Sequence, residues 1–136
     1  MILLTGGTGF LGQHVQRELN RLAIPYKLIS RNAKDEFKGD LTKWNAGLDL
    51  DLIKSRYKFT SLIHLAGLYD FSASDIDCHM HNLAGTKTAL HLAKVLEIPV
   101  FLNAGTIASS INSDKNSVSP YDLDFSKSFP DPYSET

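Results

Sequence analysis

Short apolar runs alternate with stretches of helical periodicity along most of this chain. Met1 to Thr5 is the first run, and Tyr26-Lys27-Leu28-Ile29-Ser30, Ser61 to Ala66 and Ile98 to Asn103 repeat its character. Their length and apolar character predict buried strands. A shorter strand is expected to end at Gly39-Asp40-Leu41. Between the runs, apolar residues recur at helical spacing. From about Gly9 to Leu22 they are Phe10, Leu11, Val15, Leu19 and Leu22, which this pattern places on an inner face. Leu48 to Tyr57 reads as a helix. So does a long stretch from about Ser74 to Leu96, with Ile76, Met80, Leu83, Leu90 and Ala93 expected to face inward. Strands alternating with helices predict an α/β fold, a parallel sheet covered on both faces. The polar, Ser-rich and Pro-punctuated stretch from Ala108 to Pro132 reads as a long loop, and loops of that length are usually functional.

The junction after the first run carries the clearest chemistry. Thr5-Gly6-Gly7-Thr8-Gly9-Phe10-Leu11-Gly12 links a strand to an amphipathic helix. Glycines permit a sharp turn and a close backbone approach to a ligand. The amides and positive dipole end of the new helix then suit a diphosphate, and the last glycine allows tight packing of helix on strand. Gly6, Gly7, Thr8, Gly9, Phe10, Leu11 and Gly12 are therefore the expected diphosphate-binding residues. The strand–turn–helix context separates this motif from a chance glycine triplet. With it, the alternation becomes a Rossmann-type doubly wound sheet of strand order 3-2-1-4-5.

Composition adds exclusions. At 136 residues the chain is sized for one domain, taken as residues 1–136. Lys+Arg 14 against Asp+Glu 15 leaves a net charge of −1 and no basic footprint for nucleic acid. The apolar runs are too short for a membrane span, and Met1 leads straight into a strand, so neither a membrane segment nor a signal peptide is expected. The single Cys78 precludes an internal disulfide and fits a reducing cytoplasm. Asp77, Cys78, His79 and His81 suggest a metal site, but no second ligand pair stands near in sequence and no metal is expected. His64 lies within a strand and reads as a satisfied core residue. Trp44 and Phe37 read as packing at the sheet edge.

The order of several motifs resembles the extended short-chain dehydrogenase/reductase family, the NAD(P)-dependent epimerase/dehydratase group. They are the turn at Thr5 to Gly12, Gly39-Asp40-Leu41, His64-Leu65-Ala66-Gly67, Asn82-x-x-Gly85-Thr86, Gly105-Thr106 and Pro132-Tyr133-Ser134-Glu135-Thr136. The resemblance covers almost the whole chain. It implies that Asp40, with Leu41, receives the adenine, that Leu65, Ala66 and Gly67 border the nicotinamide ribose, and that Asn82 orders backbone or water beside the active site. Asp40 also suits a turn, and Asn82 a solvent-exposed helix position.

The same resemblance implies catalysis by Thr106, orienting the substrate oxygen, and Tyr133, moving its proton. The family's Tyr-x-x-x-Lys pattern is cut short at Thr136, so the chain is expected to be truncated before the substrate domain and, by itself, to bind nucleotide with little turnover. NAD-selective members carry an acid at the end of the second strand, where this chain has Ile29-Ser30-Arg31-Asn32. A guanidinium there suits a 2′-phosphate, which favours NADP(H) over NAD(H). Family members often dimerise through the long helix, so a homodimer on that face is an expectation. The implied substrate is a small molecule, with nucleotide-sugars the common class. Ser109-Ser110-Ile111 departs from the family's Val-Tyr-Gly, and Gly67 to Ser72 looks like reductases acting on thioesters or other carbonyls. Alternatives are therefore such a reductase, or a non-catalytic NADP(H)-sensing module of the same fold.

Overall fold

A computed structural model describes residues 1–32, 37–70 and 72–105. The described residues build one parallel sheet of five strands: β1 (Ile2–Thr5), β2 (Tyr26–Ser30), β3 (Phe37–Lys38), β4 (Ser61–His64) and β5 (Val100–Asn103). The order is β3-β2-β1-β4-β5, as the sequence pattern predicts. β1 is central, with Leu4 paired to Leu28 of β2 and to Ile63 of β4. The winding of the sheet changes direction between β1 and β4, so a crevice opens beside the carboxyl ends of these strands. Ligands bind in such crevices in doubly wound sheets.

Helices cover both faces. On one, α1 (Phe10–Arg21) is tied to β2 by Gln16 and Asn20, which meet the Tyr26 hydroxyl. On the other, α2 (Leu50–Arg56) and α4 (Gly85–Val95) close a core that includes Leu3, Ile29, Phe37, Leu62, Leu92 and Ile98. Burial of each such leucine contributes about 1.5–3 kcal/mol relative to exposure. Asp49 starts α2 by accepting the Leu52 amide at 3.0 Å, which satisfies one orphan donor of that helix.

The long stretch expected as a regular helix from Ser74 to Leu96 is helical but not uniform. A short α3 (Asp75–Cys78) runs into a wide π-turn over His79–Ala84, and α4 continues from it. Of the residues expected to face inward, Ala93 is buried and the other four are not. Cys78, Asn82, Gly85, Ala89, Leu92 and Leu96 are buried, while Ile76, Met80, Leu83 and Leu90 are exposed. Two stripes run along this helix at the same spacing, one of mainly small residues and one of larger apolar ones. The small-residue stripe faces the sheet, because only small side chains let the helix approach that closely.

A similar correction applies to α1. Gly12 and Leu19 are its buried residues, whereas Phe10, Leu11 and Leu22 are exposed. Trp44, expected at the sheet edge, is 77% exposed and tilts over the His91 ring at 4.6 Å. Phe37 is buried, edge-on to Tyr57 and Phe59. Among the described residues no helix is long and apolar enough to cross a membrane.

Candidate nucleotide-binding site

β1 delivers the chain into the turn with Thr5 buried and Gly6 in the left-handed region at φ +70. The Gly6 carbonyl accepts the Gly9 amide at 3.1 Å, closing the bend just before α1. A side chain at Gly6 would be strained by that φ and would also strike the Leu65–Ala66 backbone. Gly12 is tighter still, since a Cβ there would overlap the Gly6 carbonyl oxygen and the Gly7 Cα. The turn, the first coil of α1 and the segment after β4 therefore meet backbone to backbone.

This packing leaves an anion-binding end. Gly9 is the N-cap of α1, no side chain caps the helix, and its first turn holds no acid. The amides of Phe10, Leu11 and Gly12 consequently take no partner among the described residues, as expected for the first turn of an uncapped helix. The positive end of the dipole lies at the same place.

A cavity of about 370 Å³ opens above the turn. Gly6, Thr8 and Gly9 form its floor, and Ile29, Ser30 and Arg31 line it from the end of β2. Gly39, Asp40, Leu41 and Thr42, following β3, complete that side. The opposite side is Leu65, Ala66, Gly67 and Leu68, following β4, with His81 from the π-turn. Of the residues expected to bind cofactor, Gly6, Thr8, Gly9, Arg31, Asp40, Leu41, Leu65, Ala66 and Gly67 are thus gathered around one space. Gly7, Phe10, Leu11, Gly12 and Asn82 are not on its surface. Gly7 and Gly12 are buried in the turn, and the Phe10 ring, 83% exposed, packs on His14. Phe10 and Leu11 could then serve only through their free amides. Thr106 and Tyr133 lie outside the described residues.

Two side chains set the charge on the β2–β3 side. Burial works against ionisation of Asp40, but the Thr42 amide and hydroxyl, then Lys43 and Arg31, outweigh it and hold the carboxyl below its ordinary value. Thr42 donates to Asp40 Oδ1 from its amide at 3.1 Å and from its hydroxyl at 2.8 Å. Asp40 is therefore both a turn residue and a cavity residue, ionised at neutral pH and placed to accept a hydrogen bond.

On the other side Asn82 fixes the wall. Its Oδ1 accepts the Leu68 amide at 2.6 Å, and its Nδ2 donates to the Leu68 carbonyl at 3.2 Å. Thr42, Leu68 and His81 are lining residues that sequence reasoning did not single out for this cavity. The position of His81 directly before Asn82 was the available signal, but sequence reasoning weighed it as a metal-ligand candidate. Among the described residues no three His, Cys, Asp or Glu side chains cluster as a metal site.

These features suit an anionic ligand on chemical grounds: uncapped amides, two glycines in the floor, an ionised acceptor at one end and small residues at the other. Comparison with known proteins agrees. The model of the NAD dependent epimerase/dehydratase family matches residues 2–135. Among solved structures the chain is similar to a UDP-galactose 4-epimerase, at 16% identity and TM-score 0.78, over 98% of this chain and 46% of that one. It is similar to the UDP-glucose 4-epimerase of Thermus thermophilus, solved with NAD, at 17% identity and TM-score 0.74, over 98% and 46%. The terminal R domain of the myxalamid PKS-NRPS biosynthetic pathway gives 21% identity and TM-score 0.84, over 98% and 42%. Identities this low speak for the fold alone, and the chain spans less than half the length of these structures. No protein of curated function matches the sequence. A family match running almost end to end, over residues 2–135, shows that this chain belongs to the NAD-dependent epimerase/dehydratase family.

Proposed function

We propose that residues 1–136 form the nucleotide-binding portion of an NAD(P)-dependent enzyme that moves a hydride at a carbon bearing a hydroxyl or carbonyl. The observation that carries this is the uncapped start of α1 opening into a cavity with Asp40 at one end and Ala66-Gly67 at the other. A nicotinamide nucleotide, when bound, supplies the hydride chemistry. The chain's own residues bind and orient. The amides of the turn hold the diphosphate, and ionised Asp40 accepts from the adenine amino group. The small Ala66 and Gly67 leave room for the ribose at the far end. Tyr133 would move the proton at the substrate oxygen and Thr106 would orient that oxygen, which fits a general acid–base step at a carbonyl. The enzyme's substrate would be a small molecule, with nucleotide-sugars the class named by two of the structural neighbours. In the longest natural form of the protein that turns over, Tyr133→Phe should lower kcat at least about a hundredfold, the scale of general acid–base catalysis. Unchanged turnover would remove Tyr133 from the mechanism.

Arg31 favours NADP(H), because it lines the cavity where β2 ends, carries a guanidinium, and neither neighbour in sequence, Ser30 or Asn32, is an acid. The family description and the NAD-bound Thermus thermophilus structure speak for NAD(H) as the competitor. Side-by-side titration should show tighter binding of NADPH than NADH. Arg31→Ala should weaken NADPH about tenfold and leave NADH nearly unchanged, the loss of one charge-assisted contact. Tighter NADH binding to the unaltered chain would reverse the assignment.

The exposed stripe of Ile76, Met80, Leu83 and Leu90 supports one further part of this reading, a homodimer packed through the long helix. A monomer in sedimentation equilibrium at tens of micromolar would overturn it.

A further inference from the structure

We propose that His64 is a positioning residue of the nucleotide site, tying Thr5 at the root of the glycine turn to Thr86 on α4. Its ring is 1% exposed, at the end of β4 and directly before the cavity wall. Nδ1 lies 2.7 Å from Thr5 Oγ1, and Nε2 lies 3.1 Å from Thr86 Oγ1. A neutral imidazole has one donor and one acceptor nitrogen, while a hydroxyl can play either part, so both bonds form in either tautomer. Burial pushes its pKa down to about 4, which keeps the ring neutral across the physiological range. Both nitrogen partners are uncharged hydroxyls, and the Phe101 ring centroid lies 6.1 Å away.

The bridge sits where the walls of the cavity meet. Thr5 is followed at once by Gly6, whose Cα face rests on Leu65 and Ala66. The Thr5 carbonyl accepts the Leu65 amide at 3.2 Å, and the His64 carbonyl accepts the Ala104 amide at 3.0 Å. Thr86 lies one turn beyond Asn82, the residue that holds Leu68. His64 thus joins the turn that carries the free amides to the helix that fixes the opposite wall. A leucine of similar bulk would fill the space but leave both hydroxyls without the imidazole. The turn would then keep its backbone bonds, such as that from the Leu65 amide to the Thr5 carbonyl, but lose the directional side-chain tie to α4. Placement of first-turn amides is sensitive to displacements on the ångström scale.

This inference rests on the nucleotide-binding reading and is tested with the chain itself, using NADPH and NADH as probes. His64→Leu should weaken the better-bound nucleotide at least tenfold, and His64→Gln, which keeps one donor and one acceptor, should restore much of it. Thr5→Val should reproduce the loss, and the double variant with His64→Leu should bind no more weakly than either single one, because both cut the same bridge. Ile53→Val, in the core away from the site, should lower the melting temperature without altering either dissociation constant. Should His64→Leu fail to fold, the milder Thr86→Val carries the same comparison. Wild-type affinity in a folded His64→Leu or Thr86→Val chain, or additive losses in the double variant, would overturn the positioning role alone. No binding of either nucleotide to the unaltered chain would instead overturn the nucleotide-binding reading on which it rests.

Discussion

Replacing Gly12 with alanine should abolish nucleotide binding, with a loss of at least about a hundredfold, equivalent to about 2.7 kcal/mol. The added methyl would overlap the Gly6 carbonyl oxygen and the Gly7 Cα, both backbone atoms inside a turn that is already closed. Neither can rotate aside as a side chain could. The strain must be relieved by moving α1 away from the turn or by opening the turn, and either shift takes the free amides out of convergence. Overpacking of this kind also costs about 1–3 kcal/mol of stability, so the melting temperature should fall with the affinity. Gly9→Ala provides the contrast. A Cβ there meets only the Gly6 carbonyl oxygen, at 3.4 Å, and otherwise stands at the cavity floor. That variant should keep its melting temperature and still lose affinity, because the methyl occupies space the diphosphate needs. Titration of both variants with NADPH and NADH, alongside thermal unfolding, separates a broken turn from a filled floor. A Gly12→Ala chain that binds like the unaltered one would remove the turn from the site.

Acid should destabilise the fold well above the range in which carboxylates titrate. His64 titrates near 6.5 when unfolded and about 4 in the folded chain, because burial disfavours its charged form. The unfolded chain therefore binds the extra proton first as pH falls. Stability is full above about pH 6.5, declines through the interval down to about 4, and levels off below it. At about 1.36 kcal/mol for each pKa unit, the loss is on the order of 3 kcal/mol, a large share of the stability of a domain this size. Asp40, Asp70 and Glu97 act in the same direction but lower, since their carboxyls are held below ordinary values of 3.8, 3.8 and 4.5. Denaturant unfolding at pH 7 and pH 5 isolates the histidine. His64→Gln should lose most of the difference between those two conditions, and an equally steep decline in that variant would assign the effect elsewhere.

The clash at Gly12 follows from a spacing visible in the sequence, because a glycine at the first turn of a helix after Thr5-Gly6 is placed for contact between backbones. The titration of His64 does not follow from its neighbours in sequence. Its burial was expected from its place in an apolar strand, but its partners Thr5 and Thr86 come from β1 and α4. Only the pairing of β1 with β4 and the packing of α4 over them bring those two hydroxyls to opposite nitrogens of one ring. Asp40 shows the same division, since its position after the third strand was readable while its bonds to Thr42 were not.

The alternation of apolar and polar positions determined the order of elements, the parallel sheet and the glycine turn, because these depend on periodicity and local backbone freedom carried by consecutive residues. Tertiary structure decided which helix face is buried. Residue size and hydrophobicity pointed to Ile76, Met80, Leu83 and Leu90, but the close approach of helix to sheet selected Cys78, Asn82, Gly85 and Ala89. It also decided that His81, weighed in the sequence as a metal candidate, lines the cavity above the glycine turn. Contact between distant segments depends on how near two backbones can come, and the spacing of apolar residues along one segment carries no measure of that distance.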